Sequence, residues 1–162
     1  MDIRFLDSQN QFGSADWGMF ERAVNYAVDN GADIINLSIF ANDRPPSSFE
    51  RALDRARARD IIIVGISGNL GKSEVMYPGR YDSVLAVSAI TASGLLAAFS
   101  NRGSEVAFCA PGADITSFTP GERPFTDSGT SYAAPHVTGV LALLFSVNPT
   151  LTVNEAITIL AN

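Results

Sequence analysis

The sequence predicts an α/β fold, a mainly parallel β-sheet flanked by helices, and three observations carry that expectation. Short β-branched runs alternate with stretches whose apolar residues recur every three or four positions. The links between them are short, which favours right-handed crossovers and parallel pairing. One run, Ile61-Ile62-Ile63-Val64, is apolar without alternation, as in a strand buried on both faces.

Taken in order, residues 3–6 are a strand candidate, followed by a polar loop to Ser14. Phe20, Val24, Ala27 and Val28 recur at helical spacing, and Asn30-Gly31 supplies a stop. Residues 34–39 read as a strand. Ser47, with Glu50 three positions on, reads as a capping box opening a helix that runs to Arg59. The strand at Ile61 comes next, and residues 84–90 and 105–108 add two more. A long apolar helix covers residues 131–147 and stops at Asn148-Pro149. Thr152 with Glu155 opens the last helix. No internal repeat, low-complexity tract or linker divides the 162 residues, which read as one domain. In open sheets of this kind, sites form at the carboxyl ends of the strands.

Composition narrows the function classes. Hydrophobic residues make up 46% of the chain and charged ones 17%, ample for a core. Lys plus Arg number 11 against 17 for Asp plus Glu, a net charge of -6 that argues against nucleic acid as a partner. The basic cluster Arg51, Arg55, Arg57 and Arg59 is interleaved with Glu50, Asp54 and Asp60 and reads as a solvated helix face. The lone Cys109 excludes an internal disulfide and a cysteine-built metal site, and its apolar neighbours suggest a buried small hydrophobe. No segment reads as long and apolar enough to span a bilayer, so no membrane partner is expected. The first residues lack the layout of a signal peptide, which leaves the compartment open. No metal cluster, phosphate loop or calcium loop pattern is present, and no cofactor is expected.

The chemistry concentrates in Gly129-Thr130-Ser131-Tyr132-Ala133-Ala134-Pro135-His136-Val137, at the entry to the long apolar helix. A serine there has an exposed hydroxyl, beside free backbone N–H groups and the positive end of the helix dipole. Pro135 is tolerable in a first turn, where its missing N–H costs little. The same spacing also describes an ordinary Ser or Thr helix cap, and by itself does not choose. Asn69, in Gly68-Asn69-Leu70-Gly71, likewise reads as a turn residue when taken alone.

Several segments in one order change this. The nonapeptide from Gly129 resembles the nucleophile motif of the subtilisin-like serine proteases, with Tyr132 in place of the usual methionine. The stretch Ile62-Ile63-Val64-Gly65-Ile66-Ser67-Gly68-Asn69-Leu70-Gly71 resembles the family's strand and loop that end in an oxyanion-binding asparagine. Gly31-Ala32-Asp33-Ile34-Ile35-Asn36-Leu37-Ser38 resembles the strand beside bound substrate. Residues 77–84 and 99–103, with Ala110-Pro111-Gly112, match in the same order. The resemblance covers essentially the whole chain. It implies a three-layer subtilisin-like fold, with Ser131 as nucleophile and Asn69, joined by the Ser131 N–H, as oxyanion donor. It also implies Ser38, Ile39, Phe40, Ser67 and Gly68 as residues flanking a peptide or protein substrate, and a family that is mostly secreted.

A serine needs a base, and the base an orienting acid. The only histidine, His136, follows Ser131 by five positions on one predicted helix. That is roughly 7 Å along the axis and more than about 100° around it, so His136 is expected to be structural. The resemblance places the family's aspartate strand and histidine helix before the start of this chain, leaving the domain without its N-terminal part. Three readings follow: a fragment, one half of a split enzyme, or a catalytically dead relative acting as a binding or assembly module. An uncovered sheet edge then predicts a complementary chain or self-association. Phe40 stands where the family usually has glycine, and a side chain there is able to narrow the substrate pocket. A Ser-Lys dyad would need Lys72, the only lysine, which has no positioning partner in sequence. An α/β-hydrolase would need an aspartate or glutamate and then a histidine after Ser131; the chain offers only Glu155, and His136 is too close.

Overall fold

The computed structural model describes residues 16–119 and 121–162, so the strand expected at residues 3–6 and the loop to Ser14 lie outside it. The elements run α1 (Trp17–Asp29), β1 (Ile34–Leu37), α2 (Ser47–Arg57), β2 (Ile62–Ile66) and β3 (Leu85–Ile90), then β4 (Val106–Pro111), β5 (Ile115–Thr119), β6 (Arg123–Asp127), α3 (Thr130–Val147) and α4 (Val153–Leu160). Strands β1 to β4 form one sheet in sequence order, every pair parallel. The result is a three-layer α/β arrangement: α1 and α2 cover one face and α3 and α4 the other.

All five residues of β2 are buried. The period of two explains how: Ile63 packs with Val24, Phe49 and Leu53 of α1 and α2, whereas Ile62, Val64 and Ile66 pack with Ala133, Val137 and Leu141 of α3. Helix α1 buries Phe20, Val24, Ala27 and Val28, the residues its spacing singled out, and Gly31 leaves it at φ +72°. At the other end of the chain Thr152 and Glu155 form a reciprocal capping box on α4.

Three expectations fail and one pair of strands was not foreseen, each for a physical reason. Ser47 does not cap α2. The helix begins one residue earlier than that cap requires, with Pro46 at the N-cap and Ser47 already helical, and Glu50 is drawn instead into a two-pronged ion pair with Arg44 at 2.8 Å. Cys109 is exposed, because β4 is an edge strand whose Phe108 and Ala110 pack with α3 while Cys109 lies on the opposite face, beyond the cluster that α1 and α2 bury. The neighbours that partly cover it push its thiol pKa up, so it is not an activated thiolate. Helix α3 does reach membrane-spanning length and apolarity, with 18 residues of mean hydropathy 1.3. It nevertheless lies on the sheet through Ala133, Ala134, Val137 and Leu141, as a core helix does. Finally, the antiparallel hairpin β5–β6 was not legible as strands; its residues are mostly exposed, and Thr, Ser and Pro interrupt the apolar pattern.

The arginines of α2 act as intramolecular ties. Arg55 pairs with Asp29 and donates to Asn25, fastening α2 to α1, and Arg57 donates to Asn154 of α4.

Two measurements check this layer. Phe49→Ala removes a fully buried ring between β2, α1 and α2 and is expected to cost about 3–5 kcal/mol, read as a lower urea midpoint. The Glu155 carboxylate accepts from the Thr152 N–H and hydroxyl, which holds its pKa below the ordinary 4.5. That contribution is complete above pH 4.5 and is lost as pH falls through the lower folded value. Glu155→Gln is therefore expected to flatten this part of the acid limb in thermal melts taken between about pH 6 and pH 3.

Candidate active site

Strand β2 ends at Ile66, and the chain then turns through Ser67 and Gly68 to Asn69. Gly68 sits at φ +111°, and a side chain there would meet Met76 Cγ at 2.5 Å and Asn101 Nδ2 at 2.8 Å. Both backbone strain and space demand glycine. Beneath this turn lies a buried polar cluster of Ser67, Ser88, Ser100 and Asn101. The Asn101 Oδ1 accepts from the N–H groups of Leu70 (2.8 Å) and Lys72 (3.1 Å), and its Nδ2 donates to the Glu74 carbonyl. Its own carbonyl accepts from the Ser67 and Ser88 hydroxyls. One side chain thus shapes the loop from Leu70 to Glu74, and with it the position of Asn69.

The second half of the site comes from α3. Gly129 is its N-cap, Thr130 the first helical residue and Ser131 the second. The approach is fixed by the Gly129 N–H donating to the Gly112 carbonyl (2.7 Å) and the Asp114 N–H to Ser128 Oγ (2.8 Å). Tyr132 donates its phenol to Asp127 Oδ2 at 3.0 Å, tying the end of β6 to the same turn. Burial and then this hydrogen bond push the phenol pKa up, so Tyr132 stays protonated.

The two halves meet at Asn69. Its Oδ1 accepts from both the N–H (2.8 Å) and the hydroxyl (2.7 Å) of Thr130. With the oxygen so engaged, the amide can point only its Nδ2 donors outward, and they form no hydrogen bond among the described residues. The Ser131 N–H lies in the first turn, where no helical carbonyl can accept it. Two donors of fixed direction, half-buried at a helix N-terminus, make a place for negative charge.

A further chain of hydrogen bonds joins β1 to α3. Thr138 donates to Asn36 Oδ1 (2.9 Å), Asn36 Nδ2 to Ser38 Oγ (2.9 Å), and Ser38 Oγ to the Ser131 carbonyl (3.2 Å). Asn36, Thr138, Thr130 and Asn101 were not singled out from the sequence. Asn36, Thr130 and Asn101 lie inside the matching segments, but spacing gives no sign of which polar atoms meet.

Of the five residues expected to flank a substrate, Phe40 is 39% exposed, Ser38 is half-buried, and Ile39, Ser67 and Gly68 are buried. Ser67 commits its hydroxyl to Asn101, its N–H to Val87 and its carbonyl to Met76. In this chain Ser67 and Gly68 support Asn69 from beneath. After Phe40 the chain bridges from Ala41 to Tyr77, with N–H to carbonyl distances of 2.8 and 3.2 Å.

His136 is exposed, and its Nδ1 lies 2.8 Å from the Tyr132 carbonyl one turn back. No hydrogen bond reaches the Ser131 hydroxyl among the described residues, from His136, Lys72 or any acid. No group of three metal-ligating side chains occurs among them either.

Comparison with known proteins gives a consistent picture. A sequence model of the subtilase family matches residues 3–162. A thermostable alkaline protease of Halalkalibacterium halodurans is 39% identical over 153 residues, covering 94% of this chain and 41% of the relative. Subtilisin E of Bacillus subtilis is 35% identical over 154 residues, 93% of this chain and 39% of the relative. Among solved structures, a cold-adapted subtilisin-like serine proteinase superposes with a TM-score of 0.85 at 28% identity, over 96% of this chain and 56% of that one. The self-cleaved protease domain of PatA gives 0.83 at 31% identity, over 95% and 60%. The chain therefore spans about half the length, or less, of these relatives.

Two substitutions check the geometry. Asn101→Ala orphans the Leu70 and Lys72 N–H groups and is expected to cost about 1–3 kcal/mol in urea denaturation. Thr130→Val removes the hydroxyl bond to Asn69 and keeps the N–H bond. It should cost about 0.5–1.5 kcal/mol while leaving the circular dichroism of the helices unchanged.

Proposed function

The chain belongs to the subtilase family, and on that premise we propose that it is the nucleophile-bearing part of a serine endopeptidase that needs a base from outside residues 1–162. The observation that carries this reading is the Asn69–Thr130 pair, which leaves the Asn69 amide nitrogen as the free donor at the N-terminus of the helix that bears Ser131. Peptides and proteins are the substrates.

In the reaction, Ser131 Oγ bonds to the carbonyl carbon of a peptide while its proton passes to the external base. The carbonyl oxygen takes the negative charge and accepts from Asn69 Nδ2 and the Ser131 N–H. The C–N bond then breaks, and the amine leaves with the proton held by the base. Water repeats the sequence on the resulting ester and frees Ser131. The helix dipole favours the charged intermediate. The Thr138–Asn36–Ser38 hydrogen bonds hold the Ser131 carbonyl, and so the first turn, in place.

The only histidine accounts for the limit. Its Nδ1 lies against the Tyr132 carbonyl, which supports a reading in which Ser131 takes its base from outside residues 1–162. A complementary subtilase segment carrying histidine and aspartate supplies both. The rival reading, a catalytically dead subtilase module that binds or assembles, draws support from Phe40, an exposed aromatic in place of the family's glycine at the substrate strand.

Peptide turnover separates the readings. The chain alone is expected to be inactive. Refolded with the segment of Subtilisin E that precedes the matched region, it should cleave peptides; Ser131→Ala should abolish that activity, and Asn69→Ala should lower kcat about 10²–10³-fold. Inactivity of the assembled pair favours the binding module. Turnover by the chain alone, lost in Ser131→Ala, contradicts the proposal.

A further inference from the structure

We infer that Asn101 is a positioning residue for the oxyanion donor: buried beneath the turn, it brackets Asn69 on both sides and so determines where that side chain reaches. This rests on the reading above, in which Asn69 stabilises negative charge, and adds what holds Asn69 to that task.

Asn101 is fully buried and bonds to both peptide groups that adjoin Asn69. Its backbone N–H donates to the Gly68 carbonyl at 2.9 Å, in the peptide before Asn69. Its side-chain Oδ1 accepts from the Leu70 N–H at 2.8 Å, in the peptide after it. Peptide groups are planar, so holding both of them sets φ and ψ of Asn69 and with them the direction of its Cα–Cβ bond. Only the side-chain torsions of Asn69 remain, and the two bonds from Thr130 fix those.

Neighbouring contacts do not replace the bracket. The Gly71 N–H donates to the Phe99 carbonyl at 2.8 Å and the Arg102 N–H to the Lys72 carbonyl at 2.9 Å. These pin residues 71 and 72, beyond the Asn69–Leu70 peptide. The Asn101 amide also has one orientation. Its Oδ1 takes a second N–H from Lys72 at 3.1 Å, and its Nδ2 donates to the Glu74 carbonyl at 3.0 Å. Turned round, it would set donor against donor. The space is equally committed, since a Cβ at Gly68 would lie 2.8 Å from Asn101 Nδ2. The backbone arm of the bracket survives substitution at position 101, whereas the arm to Leu70 is made by the side chain.

Thr130 supplies a reporter. It is the first residue of α3, so its N–H has no helical acceptor, and its protection from exchange reports the bond to Asn69 Oδ1. In the wild-type chain at low urea, the Leu70 and Thr130 amides should open together, with one dependence on urea. Asn101→Ala should speed Thr130 exchange about 10-fold relative to Ile63 and Val64 in the same sample. Asn101→Asp, which keeps the acceptor for Leu70, should restore most of that protection. Where Asn101→Ala does not fold, the wild-type measurement decides.

Kinetics of the pair formed with the Subtilisin E segment that precedes the matched region give the second readout. Asn101→Ala should lower kcat about 10–100-fold with KM little changed. The double variant with Asn69→Ala should be no slower than Asn69→Ala, because a residue acting through Asn69 then has nothing left to hold. The inference is overturned by Thr130 staying protected while Leu70 exchanges, or by Asn101→Ala speeding Thr130, Ile63 and Val64 equally. Additive losses in the double variant overturn it too, and leave the proposed function standing. A wild-type pair that cleaves no peptide contradicts the proposed function instead, and the amide data then decide the bracket by themselves.

Discussion

Asn69 reaches across from the end of β2 and receives two hydrogen bonds from the first residue of α3 into a single oxygen. That contact fixes three things at once. It sets the azimuth of α3 over the sheet, since Thr130 is fully buried at the joint. It fixes which way the Asn69 amide faces, because the engaged oxygen leaves only the nitrogen to point outward. It holds in place the residue next to Ser131, whose own N–H lies free in the first turn. Everything beneath serves the joint. Gly68 makes the turn that no other residue fits, Asn101 holds the following loop by two N–H groups, and five consecutive buried residues of β2 anchor the strand that delivers it.

The opposite side of α3 is built differently. Its residues are apolar nearly all round, a composition suited to burial on every face. Yet Leu143 is 67% exposed and Val147 85%. A groove lined by α1, β1 and α3 lies beside the same helix. One side of α3 thus packs on the sheet as a core helix does, while the other stands open beside an edge on which no described strand pairs. In the proposed function the chemistry divides the same way: Ser131 and Asn69 lie in this chain, and the base is supplied from outside residues 1–162.

Much of this was legible in sequence where one physical signal dominated. The unbroken run at Ile61–Val64 announced a doubly buried strand, the 3.6-residue spacing of Phe20, Val24 and Ala27 announced the face of α1, and Thr152 with Glu155 announced a cap. The motifs located Ser131 and Asn69, and helix geometry alone removed His136. Where signals competed, sequence was a poorer guide. The Ser47–Glu50 spacing suits a capping box, but Arg44 offers Glu50 a charged partner that the pattern does not reveal. Cys109 lies in an apolar run, and only the sheet order discloses that β4 is an edge beyond the cluster that α1 and α2 bury. The length and apolarity of α3 satisfy a membrane criterion that its packing answers otherwise. The polar joints Asn101–Glu74, Thr130–Asn69 and Thr138–Asn36 join residues 27, 61 and 102 positions apart, beyond the reach of local patterns.

The proposed function requires that Ser131 and its oxyanion donors stand ready for catalysis and that their base comes from outside residues 1–162. Covalent labelling of Ser131 by a fluorophosphonate, followed by intact mass and peptide mapping, tests it most directly. The account predicts negligible labelling of the chain alone, and rapid single-site labelling at Ser131 once a histidine- and aspartate-bearing subtilase segment is bound. Labelling of Ser131 in the isolated chain at the rate of the assembled pair would contradict it.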